Sequence, residues 1–554
     1  MDARGHDAVL RRVRALPRLT RLRFATGLTL LVGAALALRL WGIRSGLPWI
    51  YNVDEADHFV SRAVAMAHAG TLQPDYWGNP PAFTYLLLIL FHLAYGGGAA
   101  IAHASGVWLV ARVASATLGA LSVGLLGLAG AKLFDRRAGL LAAALLAVAF
   151  LPVAYGKLAL NDAPVLFGVC LSLWGSAGVL RDGRARDYLL AGLGLGLAAS
   201  TKYTGGIVAL PLAAAALADR RPAMAAAAAL VAVAAFVATD PYALSDWSAF
   251  TNGIAHQSSQ SSTGAGKLGL TGSGIVYYLW SATWGVGWAP SLAALGGATW
   301  LARADRPAFF LLVPALVAFL VFMGLEDRYF GRYLMAVIPM MCLLGAYAAT
   351  ALADALPRTR EPALALLAAG LCAQGAIDSV HSGVVNSRAD TRTQTLAWLD
   401  AHVPARTRMV IEPIAPAAWS RRWAGYPIFA RTRRRADGRL ALVRHSQVSL
   451  ENYERTLSPA LVSLYRRSRY CWVVTGSTEQ GRALVTPAAV PAAIGYYRAL
   501  AAQGTAVFTA SPYPRGAAPI NFNFDWSFDY YPSAYARPGP LVVVYRLHHC
   551  RPYA

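Results

Sequence analysis

Eleven apolar runs, separated by short loops rich in arginine, leave this chain few ways to fold. They lie near 26–43, 107–131, 138–155, 163–180, 188–201, 204–218, 223–239, 275–300, 307–325, 333–354 and 363–380. A helix needs about 20 apolar residues to cross a bilayer core of about 30 Å. Several runs are shorter, which suits short or re-entrant helices beside a site. Beyond residue 380 the chain is ordinary in polarity. Helix signals at 391–402 and 489–503 alternate there with strand signals at 408–412, 470–475 and 541–546, the pattern of a small α/β domain. The expected fold is mostly α: a polytopic membrane protein of about eleven transmembrane helices with a C-terminal extracytoplasmic α/β domain. The divisions are a basic tail at 1–23, a membrane domain at 24–380 with a long first outer loop at 44–106, and the polar domain at 381–554.

Charge sets the orientation. The net charge of +22 comes almost wholly from arginine, since lysine occurs only at 132, 157, 202 and 267. Arginine fills the N-terminal tail and the clusters near 132–137, 181–186, 220–221, 303–306 and 358–360. The positive-inside rule puts all six on the cytoplasmic side. This excludes nucleic-acid binding as the reading of the charge and puts the N-terminus in the cytoplasm. The first run lacks a convincing small-residue cleavage site and reads as a retained span. The apolar segment 82–100 then cannot cross, because crossing would invert every later cluster. It is expected to lie along the outer interface, opened by Pro80-Pro81. The polar domain is extracytoplasmic, where Cys471 and Cys550 could pair.

This parity gathers ionisable residues at one membrane face. The first outer loop supplies Asp54, Glu55, Asp57 and His58. Later loops supply Lys157, Asp162, Lys202, Glu326, Asp327, Arg328 and Arg332. Acidic residues number only 28 in 554, so three carboxylates and a histidine within five positions need a reason. Charges near a bilayer are costly and tend to be functional. Transfer of a sugar from a polyprenyl phosphate fits them: cations hold the leaving phosphate and a carboxylate deprotonates the acceptor. Lysine is a compact point charge suited to phosphate.

Several motifs carry a resemblance. They are Asp54-Glu55 with His58, Gly78-Asn79-Pro80-Pro81, Arg112, Leu160-Asn161-Asp162-Ala163, Thr201-Lys202, and the run Arg328-Tyr329-Phe330-Gly331-Arg332-Tyr333-Leu334 with Pro339. In order and spacing the chain resembles the GT-C integral-membrane glycosyltransferases. The branch is that of the protein mannosyltransferases and the lipid A aminoarabinose transferases (glycosyltransferase family 39/83-like). The resemblance spans the first 350 or so residues. It implies a bacterial inner-membrane enzyme with Asp54, Glu55 and Asp162 as catalytic residues, Asp54 being the general base. His58, Lys202, Arg328, Arg332 and Tyr333 would bind substrate. A lipid-linked sugar would be the donor, a protein, lipid or glycan the acceptor, and inversion the outcome. The aminoarabinose branch has an arginine where this chain has Asp57 and a lysine where it has Asn79. Those phosphate contacts do not carry over, and Lys202, Arg328 or Arg332 take their place.

Rival readings follow from the same residues. A secondary transporter or lipid flippase also buries charge, but it predicts mid-span ionisable residues and repeat symmetry. A metal-dependent transferase of the oligosaccharyltransferase kind would use the carboxylates to hold a divalent cation, whereas the nearer branch manages with no cofactor. The aromatic run 521–531 reads first as packing of the C-terminal domain, and second as a glycan-stacking surface.

Overall fold

The computed structural model describes residues 3–262, 267–415, 419, 432–434, 440–442 and 450–552. Every apolar run forms helix. The first is Ala3–Leu40, and the last is Arg360–Asn386, which runs on past the expected end of the span. Among the described residues six stretches are long and apolar enough to cross a membrane, by length and composition: Leu22–Leu40, Val107–Leu133, Val165–Asp182, Pro222–Thr239, Arg306–Gly324 and one that begins at Arg360. Shorter apolar helices accompany them, including Ala82–Tyr95 and Ile338–Asp354. The chain is a multi-pass membrane protein.

Local chemistry fixes the helix ends. Asp135 accepts the Arg137 and Ala138 N–H groups and so opens Arg136–Val148. Gly183, at φ +63°, closes Val165–Asp182 in the left-handed conformation. Small residues let the helices meet. A Cβ on Gly175 would strike the Ala191 backbone, and one on Gly194 the backbone of Ser172. The helices Val165–Asp182 and Ala185–Thr201 therefore approach backbone to backbone, as apolar helices in lipid do.

Two cations finish interrupted helices. Helix Arg136–Val148 stops before Phe150–Tyr155. The buried Arg39 donates to the freed Leu146 and Ala147 carbonyls at 3.4 and 3.3 Å. Lys157 donates to Leu38 O and Trp41 O, at 2.7 and 2.5 Å, where the first helix ends. Positive charge at a helix C-terminus is favourable. A π-turn at Thr283–Gly287 breaks the helix that continues as Trp288–Ala304. Gln374 repairs it, accepting the Trp288 N–H and donating to Thr283 O.

Among the described residues the C-terminal domain holds six strands: β1 (Met409–Ile411), β2 (Thr432–Arg434), β3 (Leu440–Leu442), β4 (Trp472–Gly476), β5 (Gly504–Ala510) and β6 (Val542–Leu547). β2 and β3 pair as a separate antiparallel ribbon. The other four form a mixed sheet in the order β1-β4-β6-β5, with β1 parallel to β4 and the remaining pairs antiparallel. Helices Thr391–His402 and Pro491–Gln503 match the expected segments. β5 has no counterpart in the sequence reading, because it follows helix Pro491–Gln503 directly, with no residue between them. Cys471 and Cys550 are joined in a disulfide.

The domain docks on the segment that follows the first helix. Arg392 pairs with Asp390 at 2.7 Å and lies over the Tyr51 ring at 3.9 Å, while the Tyr51 hydroxyl meets Thr393 Oγ1 at 3.0 Å. The aromatic run reaches back to the bundle, where Trp526 and Tyr531 pack on Trp280 and Trp284.

Candidate active site

The acidic pair sits on a one-turn helix, Val53–Asp57, opened by Asn52, whose side chain accepts the Glu55 N–H. Successive helical residues point about 100° apart, and the two carboxylates part company. Glu55 turns inward and is fully buried. It takes Arg112 Nε and Nη2 at 2.7 and 2.8 Å and the Ala159 N–H at 2.8 Å. Arg112 also donates to the Ile43 and Ser45 carbonyls. Glu55 thus ties three segments together with its hydrogen-bonding capacity largely filled.

Asp54 faces the other way. Its Oδ2 is 2.7 Å from Arg332 Nη2, and its carboxylate remains 39% exposed. Burial pushes this carboxyl up, but the charges of Arg332 and His58 outweigh it and hold the group well below the usual carboxylate range. His58 Nε2 lies 3.8 Å from Asp54 Oδ1 and its ring stacks on Tyr76 at 4.9 Å. Burial pulls the imidazole down from its ordinary value, against the charges of Asp54 and Asp57. Tyr76 in turn accepts from Asn79 Nδ2 at 2.9 Å.

The remaining predicted residues form a chain of contacts behind this pair. Asp162 and Lys202 make a buried ion pair. Lys202 Nζ stands over the Tyr333 ring at 4.9 Å, and Arg332 over the same ring at 6.0 Å. Asn161 Nδ2 donates to Thr201 O and to Asn79 Oδ1, joining the proline pair to the Thr-Lys junction. Arg328 donates to Gln260 Oε1 at 3.2 Å.

A cavity of about 160 Å³ opens between Asp54 and the C-terminal domain. Of the predicted site residues, Asp54, Arg328 and Arg332 line it, and Lys267 joins them. Lys267 Nζ sits over the Phe330 and Phe524 rings at 4.8 and 5.0 Å. Asp162, Lys202, His58 and Tyr333 stand behind the wall. Glu55 lines a smaller neighbouring cavity with Lys157 and Asp529. Among the described residues no three carboxylate, histidine or thiol groups converge as metal ligands.

The C-terminal domain supplies residues that the sequence reading left out. Asp525 Oδ2 accepts the Gly331 N–H at 2.8 Å and the Tyr277 hydroxyl at 2.5 Å, and so anchors the turn that carries Arg332. Burial pushes the Asp525 carboxyl up, against these hydrogen bonds. Arg392, Glu479 and Arg482 line the far wall of the cavity. Two signals were present in the sequence. Lys267 is one of four lysines, and Asp525 and Asp529 are acidic residues inside an aromatic run in a chain poor in acid.

Residues 79–244 match the family model of the dolichyl-phosphate-mannose-protein mannosyltransferases. Over that stretch, less than a third of the chain, the sequence is similar to this family of membrane glycosyltransferases. The match takes in Asn79, Arg112, Asp162 and Lys202. No curated protein sequence matches the chain. Solved folds do, two of them as follows. ArnT from Cupriavidus metallidurans, solved with undecaprenyl phosphate bound, is 16% identical over 93% of this chain and 97% of its own, with a TM-score of 0.51. The Archaeoglobus fulgidus oligosaccharyltransferase in its apo form is 12% identical over 95% of this chain and 88% of its own, with a TM-score of 0.53. At these identities the likeness is one of fold alone.

Proposed function

We propose that this glycosyltransferase moves a sugar from a polyprenyl-phosphate donor to a hydroxyl acceptor at the outer face of a bacterial plasma membrane. The observation that carries the reading is the Asp54–Arg332 contact at the cavity wall, a base and a phosphate-seeking cation 2.7 Å apart. Undecaprenyl phosphate in the similarly folded ArnT supports the donor class. The disulfide between Cys471 and Cys550 supports an oxidising, extracytoplasmic setting for residues 381–554. The topology is that of eleven spans within 24–380, the tail 1–23 inside, the loop 44–106 outside, and helix Ala82–Tyr95 along the interface.

In this mechanism the donor's lipid tail enters between helices and its phosphate reaches Arg332, with Arg328 and Lys267 nearby on the same wall. In the resting enzyme Arg332 holds Asp54 as a weak base. An anionic phosphate competes for that guanidinium, which loosens the hold and raises the basicity of Asp54 once the donor is in place. The acceptor O–H proton passes to Asp54, the oxygen bonds to the anomeric carbon, and the bond to the phosphate breaks with its electron pair leaving on phosphate. A single displacement inverts the configuration. Glu55 positions the helix that presents Asp54, and the Asp162–Lys202 pair with Tyr333 backs Arg332. His58 steers the free oxygen of Asp54. In this reading side-chain cations supply the positive charge for the leaving phosphate.

Purified protein incubated with radiolabelled polyprenyl-phosphate sugars tests this reading. Wild type should release polyprenyl phosphate and form an inverted glycoside, and Asp54→Asn should not. Equal turnover by both would remove Asp54 as the base.

A further inference from the structure

The far wall of the cavity is chemically unlike the near one. Helix Ser477–Val485 of the C-terminal domain presents Thr478, Glu479 and Arg482 to it. Arg482 is engaged by Glu454, Nε to Oε1 at 2.7 Å. Arg392, which also lines the cavity, is engaged by Asp390. Glu479 is 4% exposed, and its Oε2 is buried with no hydrogen-bond partner. Its Oε1 is 3.9 Å from Arg482 Nη2. Its neighbour Glu412 is already satisfied, by the Tyr497 hydroxyl at 2.9 Å and the Gly476 N–H at 2.9 Å. A buried carboxyl oxygen without a partner is costly unless something donates to it.

Between the two walls lie aromatic faces. Phe330 and Phe524 meet edge to face with centroids 5.5 Å apart, and Phe528 lines the same space. Aromatic rings beside acceptor oxygens suit a sugar ring, which has apolar C–H faces and a rim of hydroxyl donors. Both arginines on this wall are already engaged by carboxylates of their own domain.

We propose that the half of the cavity between Asp54 and helix Ser477–Val485 is a subsite for a neutral carbohydrate acceptor. Glu479 accepts one of its hydroxyls there, and Phe524 and Phe528 face its ring. The acceptor hydroxyl that reacts then points across the cavity to Asp54. This rests on the transferase reading above and narrows its acceptor to a glycan. Burial, against the charge of Arg482, lifts Glu479 to about 7, so near neutrality the group is able both to accept from and to donate to a hydroxyl.

Full-length protein in lipid nanodiscs tests the subsite by saturation-transfer NMR. The probes are mannotriose, arabinotriose, chitotriose and a Ser/Thr-rich peptide. A parallel thermal shift with undecaprenyl phosphate reports the donor side. At least one oligosaccharide should receive saturation at its ring C–H protons. Glu479→Ala should weaken that binding about tenfold while undecaprenyl phosphate still raises the melting temperature. If Glu479→Ala does not fold, Phe528→Leu, which removes only the ring, carries the test with the same expected loss. Binding of none of the three oligosaccharides, binding of the peptide alone, or glycan binding unmoved by these variants overturns the proposal. Absence of any undecaprenyl phosphate effect on wild type strikes instead at the donor reading, and the glycan result stands separately.

Discussion

The two ends of the helical bundle both carry ion pairs, and the pairs differ in kind. At the arginine-rich end Arg137 reaches Asp135, Asp354 and Glu361 at 3.3 to 3.6 Å, all three with exposed carboxylates. Arg360 shares Asp354 with Arg137, and Arg221–Asp219 is a separate pair. At the opposite end Glu55–Arg112 and Asp162–Lys202 are buried, and only Asp54 of the acidic residues in these pairs keeps substantial exposure. Exposed pairs contribute about 0–1 kcal/mol each, while breaking a buried pair from one side costs about 3–5 kcal/mol. One end therefore records topology. The other stores charge at a cost that is justified by chemistry, and within it Asp54 is the partner left accessible.

The sharpest break in this comparison is Asp54→Asn. Transfer should fall by about 10²–10⁴-fold, the usual worth of a general base, while the melting temperature in detergent stays close to that of wild type. A parallel collapse of stability would class Asp54 with the structural pairs. Glu55→Ala should do the reverse in emphasis. It strands the Arg112 guanidinium, so thermal denaturation should show a loss of about 3–5 kcal/mol, with activity lost in step with folded protein. For Asp162 and Lys202, a double-mutant cycle with Asp162→Asn and Lys202→Met should give a coupling of about 0.5–3 kcal/mol in unfolding. Additive losses would mean the two groups do not stabilise each other.

A smaller effect comes from pH. Glu479 is lifted from 4.5 to about 7 by burial in the folded state. Between those values the folded protein holds a proton that the unfolded chain has released, so this contribution to stability is full below pH 4.5 and lost as pH rises through about 7. Melting temperature should fall across that window, and Glu479→Gln should flatten the slope. The smallest effect is at the other end: Arg137→Ala should change stability by less than about 1 kcal/mol and leave turnover alone, as measured by denaturation and by the transfer assay.

Much of the bundle was legible. Apolar runs are local features, and each became helix, including the 82–95 segment opened by the proline pair. Helix Thr391–His402 and strands β1, β4 and β6 also fell where alternation placed them. β5 did not, because its Thr and Val residues follow a helix with no turn signal. The near wall of the site was legible for a different reason. Scarce acids and lysines at span junctions stand out in an arginine-rich chain, and Asp54, Arg332, Asp162 and Lys202 do form one connected set.

Composition, the apolar runs and the order of motifs that carries the family resemblance were thus legible in the sequence alone, since each depends on neighbours in the chain. Tertiary structure decided the rest. Asp54 and Glu55 are adjacent in sequence, and only the packing of Arg332 against the first and Arg112 against the second separates an accessible carboxylate from a buried tie. Asp525 meets Gly331 across 194 positions, and Glu479 faces the cavity from another domain. Contacts of that range exist only after loop closure brings distant segments together, and no periodicity or spacing encodes them.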